Sequence, residues 1–418
     1  MIRQPCRSVA GMMRPRTAAP LLVCALTLSA CGGDGETAST DGTSRPSEST
    51  TSSSSSSTSP TSDAAPEASA CVTTTRDRMT ERQQAGQLLM VALTPDMGQA
   101  GLDAQIAEGL GSMLYLGGWT GSATVAAASQ HLQEQAVDVD GSKVGMLVAA
   151  DQEGGEVQQL TGQGFSTIPS GREQGAMDAD ELEQQATAWG TELKRAGVNV
   201  NLAPTTDTVP SEIGRANGPI GQHRREYGAT PAATAKGAVA FAQGMHAAGV
   251  MPTTKHFPGI GRIHGNTDST AEGITDTTAT TKDPHLSPFD AVISASPTIV
   301  MIGNARYPKL DADNQAPFSQ KIITDLLREQ MGFDGVVITD DVGVAKAVAD
   351  VPVGERATRF VAAGGDIVLT ADATQTETMT QALVDAMAAD EEFAEQVEAS
   401  VSRVLALKED MGLLRCGG

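Results

Sequence analysis

The stretch Gly249-Val250-Met251-Pro252-Thr253-Thr254-Lys255-His256-Phe257-Pro258-Gly259-Ile260-Gly261 decides the fold. An apolar run leads into two cationic or titratable side chains set side by side. Pro and two Gly follow, and they stop a strand and hand the chain to a loop. That is the layout of a strand end delivering polar groups into a site. Gly335-Val336-Val337-Ile338-Thr339-Asp340-Asp341 repeats the layout with carboxylates.

Working outward, eight short apolar runs appear: Leu88–Leu93, Met113–Leu116, Val144–Ala150, Val198–Leu202, Val250–Thr254, Thr298–Ile302, Val336–Thr339 and Ile367–Thr370. Ala-rich amphipathic segments separate most of them: Ala123–Val137, Asp180–Ala196, Pro231–Ala248, Ser319–Met331 and Thr376–Met387. Thr80-Glu81-Arg82-Gln83 fits a capping box that opens a helix. Gly197 and Gly249 sit where a helix ends. Strands that are apolar throughout, alternating with helices, indicate a parallel sheet. Eight such units predict a closed (β/α)8 barrel, a fold of ~250 residues or more. Asp151 follows the third run, Asn201 and Asp207 the fourth, Asn304 the sixth and Asp372 the eighth. Polar residues thus gather at the C-terminal ends, where barrels place their sites. A doubly wound open sheet is the alternative, but Leu93-Thr94-Pro95-Asp96 is no Gly-rich phosphate turn.

The chain has 418 residues, a formal net charge of −22 and 3% aromatics. A polyanion would be repelled and bases would find few stacking rings, so nucleic acid is excluded as a partner. Arg3, Arg7, Arg14 and Arg16 precede the apolar run Ala18–Ala30, which is too short for a permanent span. Leu28-Ser29-Ala30-Cys31-Gly32 resembles a bacterial lipobox with Cys31 lipidated. An ordinary signal peptide or an uncleaved anchor is the alternative. Residues 31–70 read as a Ser/Thr/Pro-rich tether, unable to bury enough surface to order itself. Residues 71–418 read as the single barrel domain. Of five Cys, only Cys71 and Cys416 lie within that domain. In an exported protein they suggest a disulfide joining its ends, against the alternative of two free thiols. The charged segment Glu391–Lys408 reads as a last helix that brings Cys416 back.

Neighbouring strand residues point opposite ways. One of Asp340 and Asp341 therefore enters the barrel mouth while the other braces a loop. Alternatively, both cap a helix from Val342 onward. Asp151-Gln152-Glu153-Gly154-Gly155 is a tight turn with room for a ligand, or a turn with solvated acids. Lys255 at a strand end needs a partner, because Lys is rarely buried without one. The six His (His131, His223, His246, His256, His264 and His285) show no zinc-like pairing on one helix, so no metal is expected.

These residues resemble glycoside hydrolase family 3, in its beta-N-acetylglucosaminidase branch. Lys255-His256-Phe257-Pro258-Gly259-x-Gly261 is similar to its signature, and Asp151–Gly155 to its Asp-x-Glu-Gly-Gly turn. Asn201-Leu202-Ala203-Pro204 resembles its Asn-x-Ala-Pro strand, and Gly332–Asp341 the segment ending in its nucleophile. The resemblance covers most of Thr80 to Leu414. It implies a barrel and retaining cleavage of a beta-linked N-acetylhexosamine without a cofactor. It also implies Asp340 as nucleophile, and sugar contacts from Asp151, Lys255, His256 and Arg225. Retaining cleavage needs one ionised carboxylate and a second group ~5–5.5 Å away to protonate the leaving oxygen. Lys255 would favour the ionised form.

The loop behind the signature departs from the family. Six residues separate Gly261 from Asp268, and Asp268-Ser269-Thr270 stands where the family has Asp-Ser-His. Asp268 is the remaining acid in either register, and His264 is the second candidate, better matched in pKa. Glu156 and Gln159 replace Arg positions of the family turn. The expectation is an exported, lipid-anchored, monomeric glycosidase acting on cell-wall glycan fragments. The alternatives are a related glycosidase of other sugar preference, or a glycan-binding lipoprotein that lost its acid/base.

Overall fold

The computed structural model describes residues 68–107 and 109–416. The expected signal segment, the Cys31 lipidation site and nearly all of the tether lie outside these residues. Eight parallel strands form one sheet: β1 (Leu89–Leu93), β2 (Ser112–Tyr115), β3 (Leu147–Ala150), β4 (Val200–Asn201), β5 (Met251–Phe257), β6 (Ile299–Ile302), β7 (Val337–Thr339) and β8 (Val368–Thr370). Each pairs with its sequence neighbours, and β8 pairs with β1 through Leu89 and Val368. A bridge between Ile338 and Ile367 closes the seam of β7 and β8, and the Thr339 amide donates to the Ile367 carbonyl at 2.9 Å. The sheet is a ring, as the eight runs predict, and every strand residue is buried. Strands covered on both faces are mostly apolar, which is why the runs read as near-continuous.

Helices wrap the ring at Ser122–Glu134, Ala179–Arg195, Pro231–Ala247, Ser287–Ala295, Val353–Ala362, Thr376–Ala389 and Glu391–Asp410. Gly197 and Gly249 both take φ +76°, the left-handed turn that ends a helix at low cost without a Cβ. The Thr80 capping box is present, with Gln83 as its reciprocal partner. Lys321–Gln330 winds as a π-helix rather than the expected α-helix, with Ile322, Ile323, Leu326 and Leu327 still buried. Periodicity does not separate two such similar turns.

One alternative, a helix capped by Asp340 and Asp341, is corrected. No helix begins at Val342; the chain continues as a loop to a short turn at Lys346–Val348. Asp341 instead accepts amides from Gly343 and Ala371, both at 2.8 Å, and so braces that loop. Helix Ala70–Arg78 begins before Cys71, capped by Ser69, whose hydroxyl accepts from the Val72 amide. A disulfide joins Cys71 to Cys416 across 345 residues. The bridge of Val144 with Leu414 places this closure at the N-terminal end of the ring, away from the strand tips that carry charge.

Candidate active site

The tip of β5 carries Lys255 and His256, both almost wholly buried. Their burial is matched by acids from other elements. Lys255 Nζ lies 2.6 Å from Asp151 Oδ1, beyond β3, and 2.7 Å from Glu153 Oε1. Arg225, in the loop after β4, donates from Nε and Nη2 to the two Glu153 oxygens at 2.8 and 2.7 Å. Its Nη1 donates to the Pro219 carbonyl at 2.8 Å. Burial alone would raise the Glu153 carboxyl, but Arg225 and Lys255 hold it well below the usual carboxylate range. Burial likewise opposes the Lys255 charge, yet Asp151 and Glu153 raise its pKa. The cations are fixed in their charged forms.

His256 Nδ1 lies 2.7 Å from Asp207 Oδ2, and its backbone amide donates to the same oxygen at 3.1 Å. The other oxygen of Asp207 accepts the Ile260 amide at 2.7 Å. One fully buried carboxylate thus sets both the imidazole and the loop that leaves β5. Gly261 is required in that loop: a Cβ there would sit 1.9 Å from the Thr208 carbonyl oxygen. His256 Nε2 is 3.4 Å from Arg225 Nη2.

Asp340 stands at the tip of β7, half-buried, and accepts the Asp341 amide at 2.8 Å. Burial pushes its carboxyl up to about 6; His256 and Lys255 oppose the rise and the Asp268 carboxylate adds to it. Asp341 is also raised, by burial first and by Asp268 as well. Asn304, at the tip of β6, donates to the Asp341 carbonyl at 2.8 Å.

Both candidates for proton donor are exposed; the Asp268 carboxylate adds to the rise at Asp340, and His264 sets Nδ1 3.0 Å from the Ala216 carbonyl. Asn201 holds the turn after β3, its Oδ1 accepting the Gln152 amide at 3.1 Å. Asp372 caps the turn at Ala373–Gln375 and takes no part in the cluster. The departures in the turn have local work as well. Glu156 pairs with His223 at 2.6 Å, and Gln159 accepts the amides of Gly117 and Gly118. Sequence reasoning gave no role to Glu153 or Asp207. The available signal was the charge balance: a buried Lys and a buried Arg demand buried acids nearby.

Residues 80–407 match the family model of the glycosyl hydrolase family 3 N-terminal domain. A beta-hexosaminidase of Stenotrophomonas maltophilia (strain R551-3) is 34% identical over 234 residues, which is 53% of this chain and 66% of that protein. The chain therefore spans a little under two thirds of that relative's length. A crystal structure of beta-N-acetylhexosaminidase from Beutenbergia cavernae aligns with TM-score 0.76 and 43% identity, covering 79% of this chain and 99% of that one. A family 3 beta-N-acetylglucosaminidase from Paenibacillus aligns with TM-score 0.71 and 28% identity over 81% of this chain and 64% of the other. The ring, its charged mouth and these matches agree, and the chain belongs to glycosyl hydrolase family 3.

Proposed function

We propose that this chain is a retaining beta-N-acetylhexosaminidase. Asp340 attacks the anomeric carbon and forms a glycosyl-aspartate as the bond to the leaving oxygen breaks. Asp268 gives its proton to that oxygen. It then takes a proton from the water that attacks the intermediate, which restores both carboxyls. Asp151, Lys255, His256 and Arg225 hold the sugar hydroxyls. The observation that carries this reading is the ion cluster at the strand tips, where Lys255 meets Asp151 and Glu153, Arg225 holds Glu153 and His256 meets Asp207.

Removing Asp268 tests the acid role. Asp268→Ala is expected to lower kcat/KM on a phenyl glycoside by on the order of 10²-fold, the usual range for general acid catalysis, and on a dinitrophenyl glycoside far less. Equal losses on both would remove Asp268 from that role. A wild type that turns over no aryl N-acetylhexosaminide but accepts another aryl glycoside would move the reading to a different sugar. No turnover on any of them would favour a glycan-binding protein.

We further propose that the protein is exported, lipidated at Cys31, and acts on cell-wall glycan fragments. The basic segment followed by Ala18–Ala30, the lipobox-like residues and the Cys71–Cys416 disulfide support this, since disulfides persist in oxidising compartments. Cys31→Ser is expected to move the protein from the membrane fraction into the medium, followed by immunoblot. An unchanged distribution would reject the anchor.

A further inference from the structure

The loop after β5 carries Asp268, and its two ends are tied by one side chain. Arg262 follows Gly261 directly. Its Nε donates to Asp276 Oδ2 at 2.7 Å, and Nη1 and Nη2 donate to the Asp283 oxygens at 3.2 and 2.5 Å. Asp276 is 1% exposed and Asp283 6% exposed, so the clamp is shielded from water. Burial would raise both carboxyls, yet hydrogen bonds and the Arg262 charge keep them low. Each acid has a second task. Asp276 Oδ1 accepts from Thr278, and Asp283 accepts the His285 amide that opens the next helical turn. Through these, Arg262 joins the start of the loop to its return. Between the ends, the Lys346 amide donates to the Asp268 carbonyl at 3.1 Å and Ala347 to Thr267 at 3.0 Å, while the Asn266 side chain accepts the Asp268 amide at 3.0 Å. The Asp268 side chain itself stays exposed.

We infer that Arg262, gripping Asp276 and Asp283, is a positioning residue for the proton-donating carboxyl of Asp268. This rests on the reading of Asp268 given above. A fork on two buried carboxylates is rigid where a single pair would pivot. Holding both ends of the loop limits how far the tip moves from Asp340, and small displacements of a catalytic group are costly. The Arg262 guanidinium is taken up by Asp276 and Asp283, so its loss should act through the acid alone.

The test uses the full chain and two substrates, phenyl and 2,4-dinitrophenyl beta-N-acetylglucosaminide. Arg262→Gln is expected to lower kcat/KM on the phenyl glycoside by on the order of 10-fold or more, with the dinitrophenyl glycoside within about threefold of wild type. Arg262→Lys should recover part of the phenyl rate. A merely structural role would lower both substrates together and would not steepen the dependence on the leaving group. Should Arg262→Gln not fold, Asp283→Asn decides, because Asn still caps the turn but loses the charge. Equal loss on both substrates, or no loss, in the folded variants overturns the inference. Asp268→Ala run alongside separates the failures. If it discriminates between the substrates and the clamp variants do not, only the clamp is wrong. If it does not discriminate, the acid assignment and the clamp fall together.

Discussion

Asp340→Asn is expected to lower turnover of aryl N-acetylhexosaminides by about 10³-fold or more, because an amide cannot form the glycosyl ester. The loss should be the same for good and poor leaving groups, unlike that of Asp268→Ala. Stability separates a chemical role from a structural one. The Asp340 carboxyl is raised from 3.8 to about 6, so the folded chain holds this proton more tightly than the unfolded chain does. Its contribution to stability is present at low pH and is lost as pH rises from about 4 to about 6. Above that window the wild type carries a half-buried charge that Asn lacks. The variant should therefore melt no lower than wild type at pH 7, measured by calorimetry. The same ionisation should set the acid limb of kcat/KM near pH 6, since the nucleophile must be charged. A clear drop in melting temperature together with residual turnover would assign Asp340 a structural part instead.

Lys255→Met should damage both function and fold. The Lys255 side chain is 3% exposed and neutralises Asp151 and Glu153 together. Removing one partner of a buried pair leaves an uncompensated charge. Because Arg225 still holds Glu153, we expect a loss of about 3 kcal/mol, the low end for such a change. Urea denaturation at neutral pH measures it. Activity should fall further than stability explains, because Lys255 also favours the ionised form of Asp340. An unchanged denaturation midpoint would show that the pair contributes nothing net to folding.

The ring was readable from the sequence because strands buried on both faces read as near-continuous apolar runs, interrupted by small buried polar residues such as Ser112, Thr253, Thr254, Thr339 and Thr370. The placement of Lys255 and Asp340 was readable for the same reason: charge appears only where the apolar run stops. The partners of those charges were not. Glu153 meets Arg225 across 72 positions and Asp207 meets His256 across 49, and no local pattern connects residues so far apart. The choice between Asp268 and His264 was equally hidden. Both lie in one loop at spacings that fit the family poorly, and no local pattern shows that His264 sets Nδ1 against the Ala216 carbonyl while the Asp268 side chain stays exposed. The alternative of a helix after Asp341 arose because Asp at a strand end reads alike whether it caps a helix or braces a turn.

The seam between Ile338 and Ile367 has a consequence for how the chain reaches its native state. A ring joined through its first and last strands has no bare rim along which another molecule could add a strand. Until β8 docks between β7 and β1, however, two such rims stand open, and the residues beside them are greasy and uncharged. Intermediates that lack the C-terminal quarter are therefore the sticky ones, and the danger of aggregation ends only when the last strand zips the circle shut.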